Sequence, residues 1–493
     1  MHCAVCLLNL HEELRCKPAA WVPVGWIPKL NKDFCVRPKQ GFEALPSRTM
    51  NLFNQCFRLL LAEVVGQGPL DITWSDGISR TSAFFLGGII GDQQEADRVT
   101  CQFGVCHRCH VKRADFLETN LHAPQRTTWA MKKAILEAAE GKYSRGRAVV
   151  TWDADGGRHA GTAVKGYDRV RKIVGAHLVQ NAFWLLHGFC SYQMCMRDPM
   201  HQIDHGVIVF VLRAILWRYV ETVENAVPAL AGKAVEKLTA RLNMVLGKRE
   251  AFGQVFKGMH DTMMQISKTT RSAFQQIGKN LRQTPKLHSC IRCTDIRHLL
   301  LLLPLICHDL FSAEVSEHNA IPGNAYVEDQ SREIVMVCII LLKWYHLYCS
   351  SNGHDTDDLA ELDRLARLFF EKCKEVFPYK NGNDGWIMGT DKVHFMIHAA
   401  SEIMKWGSLI NCSAETVEST HKGWVKEQGA NTNQGPSAAK TMMKNSSRKI
   451  ASMELTQAIA GPVELILSYH FNLKCCFCIV LLLFINASLN RSY

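Results

Sequence analysis

The chain has 493 residues, 47% of them hydrophobic and 21% charged. That is enough apolar surface for a large core and too little charge for a disordered chain, so the length fits one large domain with an insertion or about two to three smaller ones. Formal net charge is +11, from 57 Lys+Arg against 46 Asp+Glu, a basic excess that suits a polyanion partner without requiring one. The 20 cysteines are scattered irregularly behind an N-terminus without signal-peptide character, which excludes a small secreted disulfide scaffold and points to a reducing interior, cytosol or nucleus.

Between Cys3 and Pro28, short Pro-punctuated runs rich in β-branched and aromatic residues predict two strands, and Met50 to Val65 has helical periodicity. Leu70 to Trp74, Ser82 to Ile90 and Arg98 to Phe103 read as extended, giving the order strand, strand, helix, strands of an α/β region. Arg145 to Gly166 is rich in Gly, Arg and Asp and predicts an exposed loop with one strand at Val149 to Trp152. Asp153 and Asp155 in it are metal candidates, but paired aspartates beside Gly-Gly are more often a turn. From Thr127 to Lys374 the pattern is mainly helical, with apolar or amphipathic runs at Gly206 to Val220, Val235 to Leu246, His298 to Leu310 and Ile334 to Tyr348. Asp357 and Asp358 should cap a helix that starts near Leu359. Asp168 to Lys172 and Lys440 to Lys449 are basic tracts, either solvated faces or phosphate contacts. Cys475 to Ala487 is apolar but shorter than the roughly 18 to 20 residues that span a bilayer. It reads as a buried segment or a non-native tail, and no membrane partner is expected.

Chemistry concentrates in four places: Asp76 in Trp74-Ser75-Asp76-Gly77, the pair Cys106-x-x-Cys109, the pair His394-x-x-x-His398, and Glu415 and Glu418. Cleaving a phosphodiester with two divalent cations requires several carboxylates converging on one point, so that attacking and leaving oxygens are both coordinated. Hard Mg²⁺ or Mn²⁺ prefers oxygen ligands, which leaves the Cys and His pairs for a structural zinc. Each element alone is weak. The chain contains four C-x2-C pairs, beginning at Cys3, Cys106, Cys290 and Cys475, and histidines one turn apart are usually ordinary surface or core residues. His107 and His110 are further possible zinc ligands that spacing does not separate from the rest.

Five stretches together resemble the transposases of fungal Plavaka-type elements, in the CACTA (En/Spm-like) superfamily of DDE transposases, themselves similar to Transib transposases and the V(D)J recombinase. They are Leu10 to Pro28, Trp74 to Gly91, Cys106 to Cys109, Asp198 to Val207 and His394 to Lys422, with a looser match at Phe256 to Met259, so that the resemblance covers about residues 5 to 440. It implies an α/β fold with an RNase H-like catalytic sheet interrupted by a large, mainly helical insertion. It further implies Asp76 as the second catalytic carboxylate and Glu418 as the third, with Glu415 its rival one turn away. Asp198 and His201 match an Asp-x-x-His signature that either touches the catalytic metals or shapes the zinc region; the plainer reading is a helix cap with Pro199 at the first helical position. Cys106, Cys109, His394 and His398 match the family's zinc positions. Double-stranded DNA (transposon ends and target), a homo-oligomer and a nuclear location follow from the same resemblance.

The family carries its first catalytic aspartate on a strand upstream of the stretch matching Cys3 to Pro28, and Met1 to Cys6 hold no carboxylate. The expectation is therefore a chain lacking the first catalytic strand and impaired in catalysis, with a sheet edge left unpaired. The expected layout is a partial RNase H-like core over 1–126, a helical insertion over 127–380, a C-terminal helical part of the core over 381–455 and an apolar tail over 456–493. A non-catalytic, zinc-stabilised protein that binds DNA or protein is the alternative, and a nuclease of the same sheet class is a third possibility.

Overall fold

The computed structural model describes residues 2–7, 22–26, 45–66, 70–73, 77–102, 105–119, 123–139, 150–152, 158–160, 175–177, 179–212, 214–215, 218, 293–308, 324–378, 388–413 and 480–487. Asp76, Asp153, Asp155, Glu415, Glu418, the two basic tracts, Val235 to Leu246 and Phe256 to Met259 lie outside them. Compactness divides the chain into two units, one of Met1–Cys109, Gln125–Asp198 and Asn411–Tyr493, the other of His110–Pro124 and Pro199–Ile410.

The first unit contains β1 (His2–Leu7), β2 (Val22–Trp26), α1 (Leu45–Gly66), β3 (Leu70–Thr73), β4 (Ser79–Gly91), α2 (Gln93–Thr100), α3 (Thr128–Ala139), β5 (Val150–Trp152), β6 (Arg158–Ala160), a 3₁₀ turn at Ala182–Leu185, a helical turn at Ser191–Met194, β7 (Cys195–Arg197) and β8 (Val480–Ala487). Its mixed sheet has the order β2-β1-β8-β4-β3, and β7 pairs with β4 as well. The long strand β4 organises it. Ser79 to Ser82 pair with β3, Ser82 to Ile90 run antiparallel to β8, and Ile89 to Gly91 run parallel to β7. β5 and β6 form a separate hairpin.

The apolar positions of α1 that recur with helical spacing, Phe53, Phe57, Leu60 and Leu61, pack with Leu86 and Ile89 of β4 and with Phe183 and Phe189. Phe57 meets Phe53 and Phe183 at ring-centroid distances of 4.8 and 4.6 Å. Burying each such side chain contributes about 1.5–3 kcal/mol.

One sequence expectation needs correction. Arg98 to Phe103 were expected to be extended, yet 93–100 is helical. Asp92 Oδ1 accepts from the Glu95 backbone at 2.8 Å and Glu95 Oε2 accepts from the Asp92 backbone at 3.1 Å, a capping box that starts a helix against the β-branched content of Val99 and Thr100. Cys101, in the left-handed region at φ 57°, ends it. β1 is paired on both sides, by β2 and by β8, and β4 has β8 along one edge with β3 and β7 along the other. The apolar segment Val480 to Ala487 fills the interval between β1 and β4.

The second unit is helical, with a π-helix at Met200–Ile208, α4 (Cys293–His308), α5 (Asn324–Tyr348), α6 (Thr356–Val376), a turn at Asp391–His394 continued by a 3₁₀ turn at Phe395–His398, and α7 (Ala399–Trp406). Asp355, two residues ahead of the sequence expectation, caps α6, with Asp358 as its reciprocal partner. The stripe Leu362, Leu365, Ala366, Phe369, Phe370, Cys373 and Val376 of α6 joins Trp344 and Tyr348 of α5, Leu300 and Leu303 of α4, and Ile203 and Val207 of the π-helix in one core. Within it, buried Asp204 accepts from Arg297 Nε at 2.7 Å and from the Tyr345 hydroxyl at 3.3 Å, fastening the π-helix to α4 and α5. No described helix is long and apolar enough to cross a membrane.

Candidate functional site

Cys106 and Cys109 sit on the loop that follows α2, both buried. Arg126 holds this loop from within. Its Nε donates to the carbonyl oxygens of both cysteines, at 2.9 Å to Cys106 and 3.0 Å to Cys109, while its own N–H donates to Arg108 O at 2.7 Å. Burial pulls the Arg126 guanidinium below its ordinary value, and the Cys106 sulfur offsets part of that. The Arg108 N–H points at Cys106 Sγ at 3.4 Å. The Arg108 guanidinium donates to Tyr192 O at 2.6 Å and Cys195 O at 2.9 Å, tying the loop to β7.

His107, a possible zinc ligand by spacing, has other work: its Nε2 contacts Cys195 O at 3.2 Å and its Nδ1 accepts from Arg197 Nε at 3.1 Å. These contacts assign the proton to Nε2 and use both nitrogens. His110 is exposed.

The histidine pair is built separately. Thr390 caps the turn at Asp391–His394, its hydroxyl accepting from Val393 N at 3.3 Å. His394 Nδ1 donates to Phe116 O at 2.9 Å and its ring stacks on Phe116 at 5.0 Å, so Nε2 carries the ring's lone pair. Such a carbonyl contact is what orients a metal-ligating imidazole. His398 follows one turn later with its ring centroid 5.2 Å from that of His394. The π-helix supports this turn: Lys392 Nζ donates to His201 O at 2.7 Å, and Gln202 donates to Lys392 O. Gly206 allows the approach, since a Cβ there would stand 2.8 Å from Lys392 Cδ and 3.1 Å from His201 O.

One ligand atom from each of Cys106, Cys109, His394 and His398 lies within 4.8 Å of the others, the one such convergence of three or more His, Cys, Asp or Glu side chains among the described residues. Two thiolates and two imidazoles are a donor set that zinc takes in structural sites, and this group could hold a metal ion. His201 and Asp198 stand outside it.

Two aspartates follow neighbouring strand ends. β4 and β7 run parallel with Gly91 opposite Arg197, and each strand leads directly into an aspartate, Asp92 and Asp198. Asp198 N donates to Gly91 O at 3.0 Å, and the fully buried Asp198 side chain accepts from Ser413 Oγ at 3.2 Å through Oδ1. Ser413 precedes Glu415 by two residues and Glu418 by five. Asp198 stands between the end of β7 and the helical residues that begin at Pro199. Asp92 was not singled out in the sequence, although its Asp-x-x-Glu spacing was the available signal. Its capping partner Glu95 is pushed up to about 9, by burial first and then by the hydrogen bond and charge of Asp92. Cys101, on the same loop as the cysteine pair, is raised to about 12 by burial and is an inert thiol.

Residues 5–213 match the family model described as Plavaka transposase. The matched stretch, fewer than half of the residues, includes Asp76, Asp92, the cysteine pair, Asp198 and His201 and ends before His394. No curated protein matches the chain.

Proposed function

We propose that the chain is a transposase-derived protein that binds double-stranded DNA, acts in the nucleus, and carries the remains or the whole of a DDE-type cleavage and strand-transfer centre on an RNase H-like sheet. The observation that carries this reading is the parallel pair β4 and β7, whose neighbouring ends bear Asp92 and Asp198, with the segment leading to Glu415 and Glu418 bonded to Asp198 through Ser413. Ligand sites of α/β sheets lie beyond the carboxyl ends of parallel strands. Asp198, Asp76 and either Glu418 or Glu415 supply the hard oxygen ligands that Mg²⁺ or Mn²⁺ takes, and bound cations would activate water and steady the leaving oxygen. Zinc at Cys106, Cys109, His394 and His398 orders the neighbouring loop. Because Arg108 ties that loop to the carbonyls of Tyr192 and Cys195, zinc also steadies the strand that ends at Asp198. Pairing of two DNA ends calls for a homo-oligomer.

A second reading, DNA binding without cleavage, has its own support: β8, lying between β1 and β4, has the sequence VLLLFINA and contributes no carboxylate to the middle of the sheet. The test is cleavage of a labelled duplex by the zinc-loaded chain with Mg²⁺ or Mn²⁺, beside Asp198→Asn. Metal-dependent nicking lost in Asp198→Asn supports the catalytic reading. Binding without nicking supports the second, and absence of DNA binding removes both.

A further inference from the structure

We infer that the outer face of α3, with the adjoining turn Ala182–Leu185, is a contact surface for single-stranded nucleic acid. Trp129 serves as the base-stacking platform and Lys132 and Lys133 as phosphate contacts. This rests on the DNA-binding reading above and adds to it a strand preference and a location.

α3 has two faces. Met131 and Ile135 are buried, whereas Trp129 is 71% exposed. Trp129, Lys132 and Lys133 stand at i, i+3 and i+4 and so share the outward side. Lys133 Nζ lies 5.2 Å from the centroid of the Trp129 ring, and Lys132 Nζ lies 5.5 Å from that of Trp184, which brings α3 beside the turn carrying exposed Leu185. A tryptophan is normally largely covered, so one left in water with a lysine over its ring is unusual for a surface whose only task is solubility. Flat rings interleaved with ammonium groups match a strand that alternates flat bases and phosphates. In a duplex the base faces are already stacked on one another, so an aromatic platform favours an opened strand. A base arriving on Trp129 would displace Lys133 toward the adjacent phosphate. The chain's net charge of +11 draws in the same polyanion. An acidic peptide would use the lysines but leave the ring without a stacking partner.

The position is also suited to the reaction. α3 begins two residues after Arg126, the residue that bridges both cysteine carbonyls, so the platform is carried on the element that leaves the cysteine loop.

The test is fluorescence anisotropy of the full zinc-loaded chain with labelled oligo(dT) and, separately, a duplex of equal length. Trp129→Ala, at an exposed position that the fold does not need, should weaken oligo(dT) binding roughly 5- to 150-fold, the range for losing one stacked base, with duplex affinity changed less than about twofold. Trp129→Phe should retain most of the affinity, and Lys132→Ala with Lys133→Ala should lower the single-strand salt slope by about 1.4. Unchanged oligo(dT) binding by Trp129→Ala overturns the inference while leaving duplex binding, and hence the proposed function, standing. Equal losses on both substrates, or displacement of oligo(dT) by polyglutamate as readily as by unlabelled oligo(dT), also overturn it. If wild-type chain binds neither nucleic acid, both proposals fall together.

Discussion

Arg126 shows how a residue that a charge count treats as surface can define a site. A guanidinium is costly to bury unless its N–H groups are met; Arg126 shares its Nε–H between the carbonyls of Cys106 and Cys109 and sends an Nη–H to Met131 Sδ at 3.3 Å. Lysine has no Nε–H held in a planar group between the two carbonyls and no second nitrogen for Met131. Arg126→Lys is therefore expected to lower zinc affinity about 10- to 100-fold, as loss of an outer-shell partner commonly does, whereas Cys106→Ser should release the metal altogether. Competition with a chromogenic chelator measures both; equal zinc retention in all three proteins would remove the zinc assignment and the Arg126 role with it. Glu95 gives a second prediction. Its carboxyl titrates near 9 in the fold, against 4.5 ordinarily. Between those values the folded chain holds a proton that the unfolded chain has released, so this contribution to stability is complete below 4.5 and declines as pH rises toward 9. The urea midpoint of wild type should accordingly fall between pH 6 and 9, and that part of the fall should be absent in Glu95→Gln. Parallel pH profiles for the two proteins would show that Glu95 is not held protonated.

At the scale of elements, what was legible was what local pattern controls. The strands near Cys3 to Pro28, the helix around Met50 to Val65, the long strand through Ser82 to Ile90 and the apolar helices of the second unit all announce themselves through alternation or 3.6-residue periodicity. The stretch from Arg98 to Phe103 was misread because the β-branched residues there were weighed without the capping box at Asp92 and Glu95 that overrides them. The cysteine and histidine pairs were legible as ligand types. Their surroundings were not: the bridging by Arg126, the use of both His107 nitrogens and the alignment of Asp92 with Asp198 depend on contacts between residues distant in sequence, which composition and spacing do not encode. β8 belongs to the same class. An apolar run is compatible with a tail or a buried segment, and only its ladder with β1 and β4 identifies it as a sheet strand. Leu482 faces Cys6 on one side and Gly88 on the other. Leu482→Pro removes an N–H donor from an interior strand and should destabilise the first unit. Hydrogen exchange at β1 and β4 reads the result, and undiminished protection there would mean that β8 is dispensable to the sheet.

For the whole molecule, the basic excess has a measurable consequence. If the chain holds duplex DNA through lysines and arginines, log K should fall linearly with log salt concentration at about 0.9 per phosphate contacted. A flat dependence would point to a protein partner instead. The chain's size also bears on the order of its assembly. β8 belongs beside β4 in the sheet, yet residues 92–479 separate the two strands along the chain. During synthesis the facing edges of β1 and β4 thus emerge from the ribosome long before the segment that joins them, and at roughly 5–20 residues per second this interval lasts on the order of 20–80 seconds. For that time the nascent sheet presents two unsatisfied edges, the kind of surface that chaperones cover and that a stalled or prematurely ended message would leave exposed for good.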